Sequence, residues 1–216
     1  MMNRRTELWL VRHGQTDWNV EGRYQGQADM PLNEVGQKQA HELARKIKEI
    51  DFDAVYSSDL QRALTTAKIL AGDKEVIVDR RLREIHQGEW EGQLFSVIRQ
   101  RYADFFESRE QNPLESRPPG GESLQEVAER VRGCVDEIAN RHQGGRILIV
   151  SHGLAIATLI ATAKGLPLSM SFELIPDNAE PQIIYWPPAL NGKEKNENSD
   201  FDDERKIKKS LSGDLR

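Results

Sequence analysis

Five short runs of β-branched, aromatic and aliphatic residues punctuate the chain: "ELWLV" (7–11), "DAVYSS" (53–58), "EVIVD" (75–79), "RILIV" (146–150) and "QIIYW" (182–186). Runs this short and this continuously apolar read as strands covered on both faces. Helical periodicity fills the stretches between them. Val35, Leu43, Ile47 and Ile50 make one apolar stripe, and Leu60, Ala63, Leu64, Ala67 and Leu70 a second. Leu124, Val127, Val131, Val135 and Ile138 make a third, and all three follow a period near 3.6 residues. Ser123 and Glu126 have capping-box spacing at the head of the third. Alternation of this kind restricts the chain to the α/β class, as a three-layer α/β/α sandwich around a mainly parallel sheet. With 216 residues the chain is long enough to close one such core.

Two regions depart from the pattern. Residues 93–119, "QLFSVIRQRYADFFESREQNPLESRPP", are too long for a simple crossover and read as an inserted small helical cap. Its Phe95, Tyr102, Phe105 and Phe106 are available to the core or to a ligand, and Arg99, Arg101, Arg109 and Arg117 add positive charge. After Pro188 the sequence mixes both charge signs and loses apolar periodicity. Residues 1–190 are therefore expected to form the domain, and residues 191–216 a polar tail that does not fold.

Charge and cysteine content narrow the function. A formal net charge of -5 argues against a general nucleic-acid binder, which needs a basic face. The one cysteine, Cys134, cannot form an intramolecular disulfide and lies on the third apolar stripe, so it reads as a packed core thiol. The first residues, "MMNRRTELWLVRHG", have too short an apolar run before charge resumes, so no secretory signal is expected, and no apolar run in the sequence reaches membrane-spanning length. A cytoplasmic address with no membrane partner is expected, and composition leaves the oligomeric state open.

Ligands of open parallel sheets bind beyond the carboxyl ends of the strands, and chemistry-bearing residues collect there. "ELWLV" runs into Arg12 and His13, and "RILIV" runs through Ser151 into His152 and Gly153. "DAVYSS" leads to Arg62 in the first turns of the following helix, and "EVIVD" is followed by Glu84. Four segments thus deliver two histidines, two arginines and a carboxylic acid to one predicted rim. His41, His86 and His142 read as surface or satisfied residues, with His86 close enough to Glu84 to be noted.

Clustered histidines suggest zinc, but such sites use carboxylate or thiolate neighbours and outer-shell acceptors. Here the neighbours are guanidiniums, which repel a divalent cation and hold phosphate by charge-assisted, often bidentate hydrogen bonds. The implied chemistry is phosphoryl transfer to a neutral imidazole, with the positive cluster stabilising charge on the transferring oxygens and no metal or other cofactor required.

"LVRHGQTDWN", "YSSDLQRALTTA", "LREIHQGEWEG", "PPGGES" and "LIVSHG" occur in an order that resembles the histidine phosphatase superfamily, in its phosphoglycerate mutase-like branch, over roughly residues 7 to 186. That resemblance implies a three-layer fold with a helical cap. It implies His13 as the phosphorylated nucleophile, Arg12, Arg62 and His152 as phosphoryl-binding groups, and Glu84 as proton donor to the leaving oxygen. It also implies Asn19, Gln25, Gly26 and Gly153 as substrate-binding positions for a small phosphorylated molecule. The stretch "REIHQGEWEG" looks like the phosphatase type, among broad-specificity or α-ribazole phosphatases, and so favours hydrolysis. The alternatives are a cofactor-dependent phosphoglycerate mutase and a catalytically silent phosphate-binding scaffold.

Overall fold

Strand β1 (Thr6–Arg12) occupies the interior of the molecule and sets the topology of everything around it. In the computed structural model, which describes residues 5–188, it pairs in parallel with β4 (Arg146–Ser151) and antiparallel with β5 (Pro181–Trp186). Beyond β4 come β2 (Ala54–Ser57) and the edge strand β3 (Val76–Val78), both parallel. The sheet order is β3-β2-β4-β1-β5. The mainly parallel sheet expected from the sequence is therefore present, with one antiparallel edge. The tail expected over residues 191–216 lies outside the described residues.

Side-chain alternation on the two central strands builds two cores. Leu8, Leu10, Ile147 and Ile149 point to one face, where α6 (Leu124–Arg141) and α7 (Gly153–Ala163) cover them. Trp9, Val11, Leu148 and Val150 point to the other, against α2 (Glu34–Lys46) and α3 (Gln61–Ala71). Because neither face of β1 or β4 meets water, an uninterrupted apolar run is what each strand needs. α6 starts at the capping box of Ser123 and Glu126. α7 is buried at every residue from Gly153 to Ala161, since it lies between the sheet, α6 and the 3₁₀ turn at Leu168–Glu173.

Two expectations from the pattern need correction. β3 is an edge strand with Ile77 and Val78 exposed, so its run is not covered on both faces. Val35 also faces solvent, because α2 meets the sheet side through Gly36, Ala40 and Leu43 instead.

Between the sheet layers and the 93–119 region sits α1 (Asp17–Glu21), a short helix closed by a Thr16–Asn19 capping box. The 93–119 region itself holds α4 (Phe95–Arg101) and α5 (Ala103–Gln111). Trp90, 1% exposed, is the hub that attaches it: Tyr24, Tyr102, Phe105 and Phe106 all place rings within 5.6 Å of its own.

The loop after β1 depends on a contact between two glycines. A Cβ on Gly14 would meet the Gly36 carbonyl oxygen at 2.4 Å, and one on Gly36 would meet the Gln15 oxygen at 2.1 Å. Since both obstacles are backbone, neither can swing aside. Gly36→Ala should therefore destabilise the protein by about 1–3 kcal/mol, the range for overpacking, read as a lower denaturant midpoint. An unchanged midpoint would show that the first turn of α2 yields freely.

Candidate active site

β1 ends by handing Arg12 and His13 to a loop pinned on every side. His13 N–H donates to the Ser151 carbonyl at 3.0 Å, and Gly14 N–H donates to Thr66 Oγ1 at 3.1 Å. Asn178 Nδ2 donates to the His13 carbonyl at 2.8 Å, and Ala179 N–H donates to that of Arg12 at 2.9 Å. The two residues are thus held by β4, α3 and the segment before β5 at once.

The imidazole of His13 is 3% exposed, and its hydrogen bonds assign its tautomer. Nδ1 lies 2.7 Å from the Gly14 carbonyl oxygen, which can only accept, so Nδ1 carries the proton. Nε2 then holds the lone pair, toward which Arg62 Nε–H donates at 3.2 Å. Arg62 is fully buried and its other nitrogens donate to the carbonyls of Ala28 (2.6 Å) and Gly26 (2.7 Å). A cation so placed, without a carboxylate in contact, has its pKa drawn down to about 10 by burial.

His152 lies behind His13, with ring centroids 5.2 Å apart in an edge-on arrangement. Its Nε2 meets Ser58 Oγ at 2.9 Å, while Nδ1 is buried with no partner among the described residues. Arg12 Nη1 donates to the Pro176 carbonyl at 2.9 Å, and its buried Nε also has no partner among the described residues. Arg12 lines the same cavity as His13, so its unpartnered Nε–H is a buried donor there that an anion could satisfy. Gly153 admits the Arg12 guanidinium, since a Cβ there would come within 3.5 Å of Arg12 Nε and 2.8 Å of Ile175.

Glu84 reaches the same edge from the 3₁₀ turn at Arg80–Leu82 that follows β3. Its carboxyl group accepts from the backbone N–H groups of Leu154 (3.1 Å) and Ala155 (3.2 Å) in the first turn of α7, and from that of Ile85 (3.0 Å). Arg12, His13, Arg62, Glu84, Asn19, Gln25, Gly26 and Gly153 all line one cavity of about 290 Å³. His152 is fully buried and sits behind that wall, not in it.

The remaining sequence candidates sort plainly. Asn19 spends its side-chain oxygen on the α1 cap, and Gln25 Oε1 accepts from Thr16 Oγ1. Of the four cap arginines, only Arg109 lines the cavity; Arg117 pairs with Glu126, while Arg99 and Arg101 lie over Phe106 and Tyr102. His41 is exposed, His142 meets Tyr56 OH at 3.0 Å, and His86 faces Glu91 at 3.7 Å. Cys134 is buried and free, its thiol pushed up to about 12 by burial. The sequence reading missed Ser58, Thr66 and Asn178, which orient the histidine loop and His152; only their places beside "RHG" partners in space give them meaning. Among the described residues no three His, Cys, Asp or Glu side chains gather as a metal site, and no helix is long and apolar enough to cross a membrane.

An α/β protein with a mainly parallel sheet thus collects two guanidiniums, two imidazoles and a carboxyl group at the carboxyl edge of that sheet. A sequence profile of the histidine phosphatase superfamily (branch 1) matches residues 8–191. A relative from Escherichia coli, "Probable phosphoglycerate mutase GpmB", is 39% identical over 171 residues, covering 74% of this chain and 76% of its own. Among solved structures, the α-ribazole phosphatase of Shigella flexneri aligns with a TM-score of 0.75 at 31% identity, covering 86% of this chain and 91% of that one. A mycobacterial glucosyl-3-phosphoglycerate phosphatase aligns with a TM-score of 0.74 at 35% identity, over 83% and 90%. The chain belongs to the histidine phosphatase superfamily.

Burial is the main reason both imidazoles resist protonation; the Arg62 charge adds to it, and each is held well below the usual histidine value. In the unfolded chain both revert to about 6.5. Below that pH the unfolded state takes up two protons that the native state refuses, so stability falls as pH drops from about 7 towards the depressed native values. Each proton contributes roughly 1.4 kcal/mol per pH unit to that slope. In urea titrations at pH 7, 6 and 5, His13→Asn/His152→Asn should flatten the decline by up to about two protons' worth. An unaltered slope would mean the imidazoles titrate normally in the native protein.

Proposed function

We propose that the protein is a metal-independent phosphomonoesterase that works through a phosphohistidine on His13. One observation carries the reading: a neutral imidazole whose Nε2 lone pair is fixed at the cavity by Nδ1–H donation to the Gly14 carbonyl, with the Arg62 guanidinium against it. An incoming phosphate oxygen takes over the Arg62 N–H, and this frees the lone pair for attack. The buried Arg12 Nε–H donates to another phosphate oxygen, and His152, just behind the wall, is the remaining phosphoryl-binding candidate. Fixed cations in the pocket stabilise the transferring group without reorganising at the moment of reaction.

The bonds balance in two steps. Nε2 of His13 bonds to phosphorus while the ester P–O bond breaks, and the leaving oxygen takes a proton from Glu84. Water then attacks phosphorus, returning a proton to the Glu84 carboxylate, and the P–N bond pair goes back to Nε2. Glu84 is suited to this exchange because it lines the cavity from a fixed position at the start of α7. Asn19, Gln25, Gly26 and Gly153 border the leaving group, and a small phosphorylated molecule is the partner that a cavity of about 290 Å³ accommodates. A cytoplasmic setting suits the buried free thiol of Cys134.

The curated relative named as a mutase supports a second reading, in which a second substrate oxygen and not water receives the phosphoryl group. The assembled nucleophile, cations and acid count against a silent scaffold. Phosphate release from a panel of monoesters should survive chelator and be abolished by His13→Ala. Glu84→Gln should slow phosphoenzyme formation from alkyl phosphates by roughly 100-fold or more, the scale of a lost general acid, and from aryl phosphates much less. Retained turnover in His13→Ala overturns the mechanism. Predominant transfer to phosphoglycerate hydroxyls, with little free phosphate, replaces hydrolysis with the mutase reaction.

A further inference from the structure

The segment that carries Glu84 has no regular secondary structure beyond the turn at Arg80–Leu82, yet its main chain is held by one side chain from α6. Arg130 Nη1 donates to the carbonyls of Arg81 (2.9 Å) and Arg83 (2.7 Å), and Nη2 donates to that of Glu84 (2.8 Å). The guanidinium is itself fixed by Glu122, whose Oε1 receives Nε at 2.8 Å and whose Oε2 receives Nη2 at 2.7 Å. Glu122 Oε2 also accepts from His86 N–H at 2.8 Å, two residues past Glu84. One ion pair therefore captures carbonyls before and at Glu84 and an amide after it. Gln27 Nε2 adds a weaker bond to the same Glu84 carbonyl at 3.2 Å.

We propose that Arg130, locked by Glu122, is a positioning residue for Glu84: it fixes the backbone from which the carboxyl group reaches the leaving oxygen. The proposal rests on the reading of Glu84 as proton donor. The physical case is geometric. Five N–H donors in a rigid plane can hold several carbonyls and a carboxylate together, whereas an ammonium group cannot match that fork. A lone salt bridge on the surface would need none of the three carbonyls. The two side chains are only about one-fifth exposed, 20% for Arg130 and 23% for Glu122. A displacement of about 1 Å in a catalytic group can cost roughly 100-fold, so freeing this loop should act on the protonated step and spare phosphoryl capture at His13.

The test compares Arg130→Met, Arg130→Lys and Glu122→Gln with the unmodified protein and with Glu84→Gln, on an alkyl phosphate such as glycerol 3-phosphate and on 4-nitrophenyl phosphate. In each Arg130 variant, phosphoenzyme formation should slow at least about 10-fold more with the alkyl ester than with the aryl ester, with Glu122→Gln following in the same direction. Phosphoenzyme formed from the aryl ester should persist in all three, which a misfolded protein would not allow. Equal losses on both esters, or loss of the phosphoenzyme, while Glu84→Gln still separates the two esters, would overturn the positioning role alone. If Glu84→Gln itself fails to separate them, the acid assignment falls first and this inference with it.

Discussion

The site depends on the hydrogen bond from Arg62 Nε to His13 Nε2. A guanidinium that is permanently charged, fully buried and bonded to a neutral nitrogen is an unusual arrangement to retain, because burial of an uncompensated cation is costly. The carbonyls of Gly26 and Ala28 offset part of that cost. What remains is a positive field at a lone pair, which is the condition for binding a phosphate dianion against a nucleophile. With phosphate seated, the same guanidinium gains the charged acceptor it lacks in the free protein.

The sheet makes this arrangement possible by delivering each group along a separate route. β1 and β4 are adjacent and parallel, so His13 and the Ser151–His152 pair emerge side by side from paired residues Arg12 and Ser151. β2 lies on the far side of β4 and feeds Arg62 into the start of α3, while β3 leads to Glu84. The first turn of α7 then turns its free amides toward the Glu84 carboxyl group. Anion binding at helix starts is a general consequence of unpaired N–H groups; here the Glu84 carboxyl group occupies two of them.

Much of this was legible in the sequence because strand ends are marked by sharp changes of residue type. "LWLVRHG" and "LIVSHG" place apolar runs directly against polar groups, and the carboxyl-edge rule puts Arg12, His13, His152, Arg62 and Glu84 together without any side-chain geometry. The antiparallel direction of β5 was not legible, since "QIIYW" carries the same pattern in either direction. The exposed Val35 and the open face of β3 escaped for a related reason: periodicity reports that an apolar residue sits on a face, and edge position decides whether anything covers it. The supports of the site were hidden more deeply. Ser58, Thr66, Asn178, Glu122 and Arg130 are ordinary polar residues in sequence, and each supports the site through a partner far away along the chain.

In the proposed reaction Nε2 of His13, and no other nitrogen, bonds to phosphorus. Reaction with an excess of aryl phosphate, a rapid quench in alkali and phosphorus–nitrogen correlation by NMR on ¹⁵N-histidine-labelled protein assigns the phosphorylated ring and atom directly. A single phosphohistidine is expected, at Nε2 of His13, absent from His13→Asn. Phosphorylation at Nδ1, on His152, or on no histidine during steady turnover would contradict it.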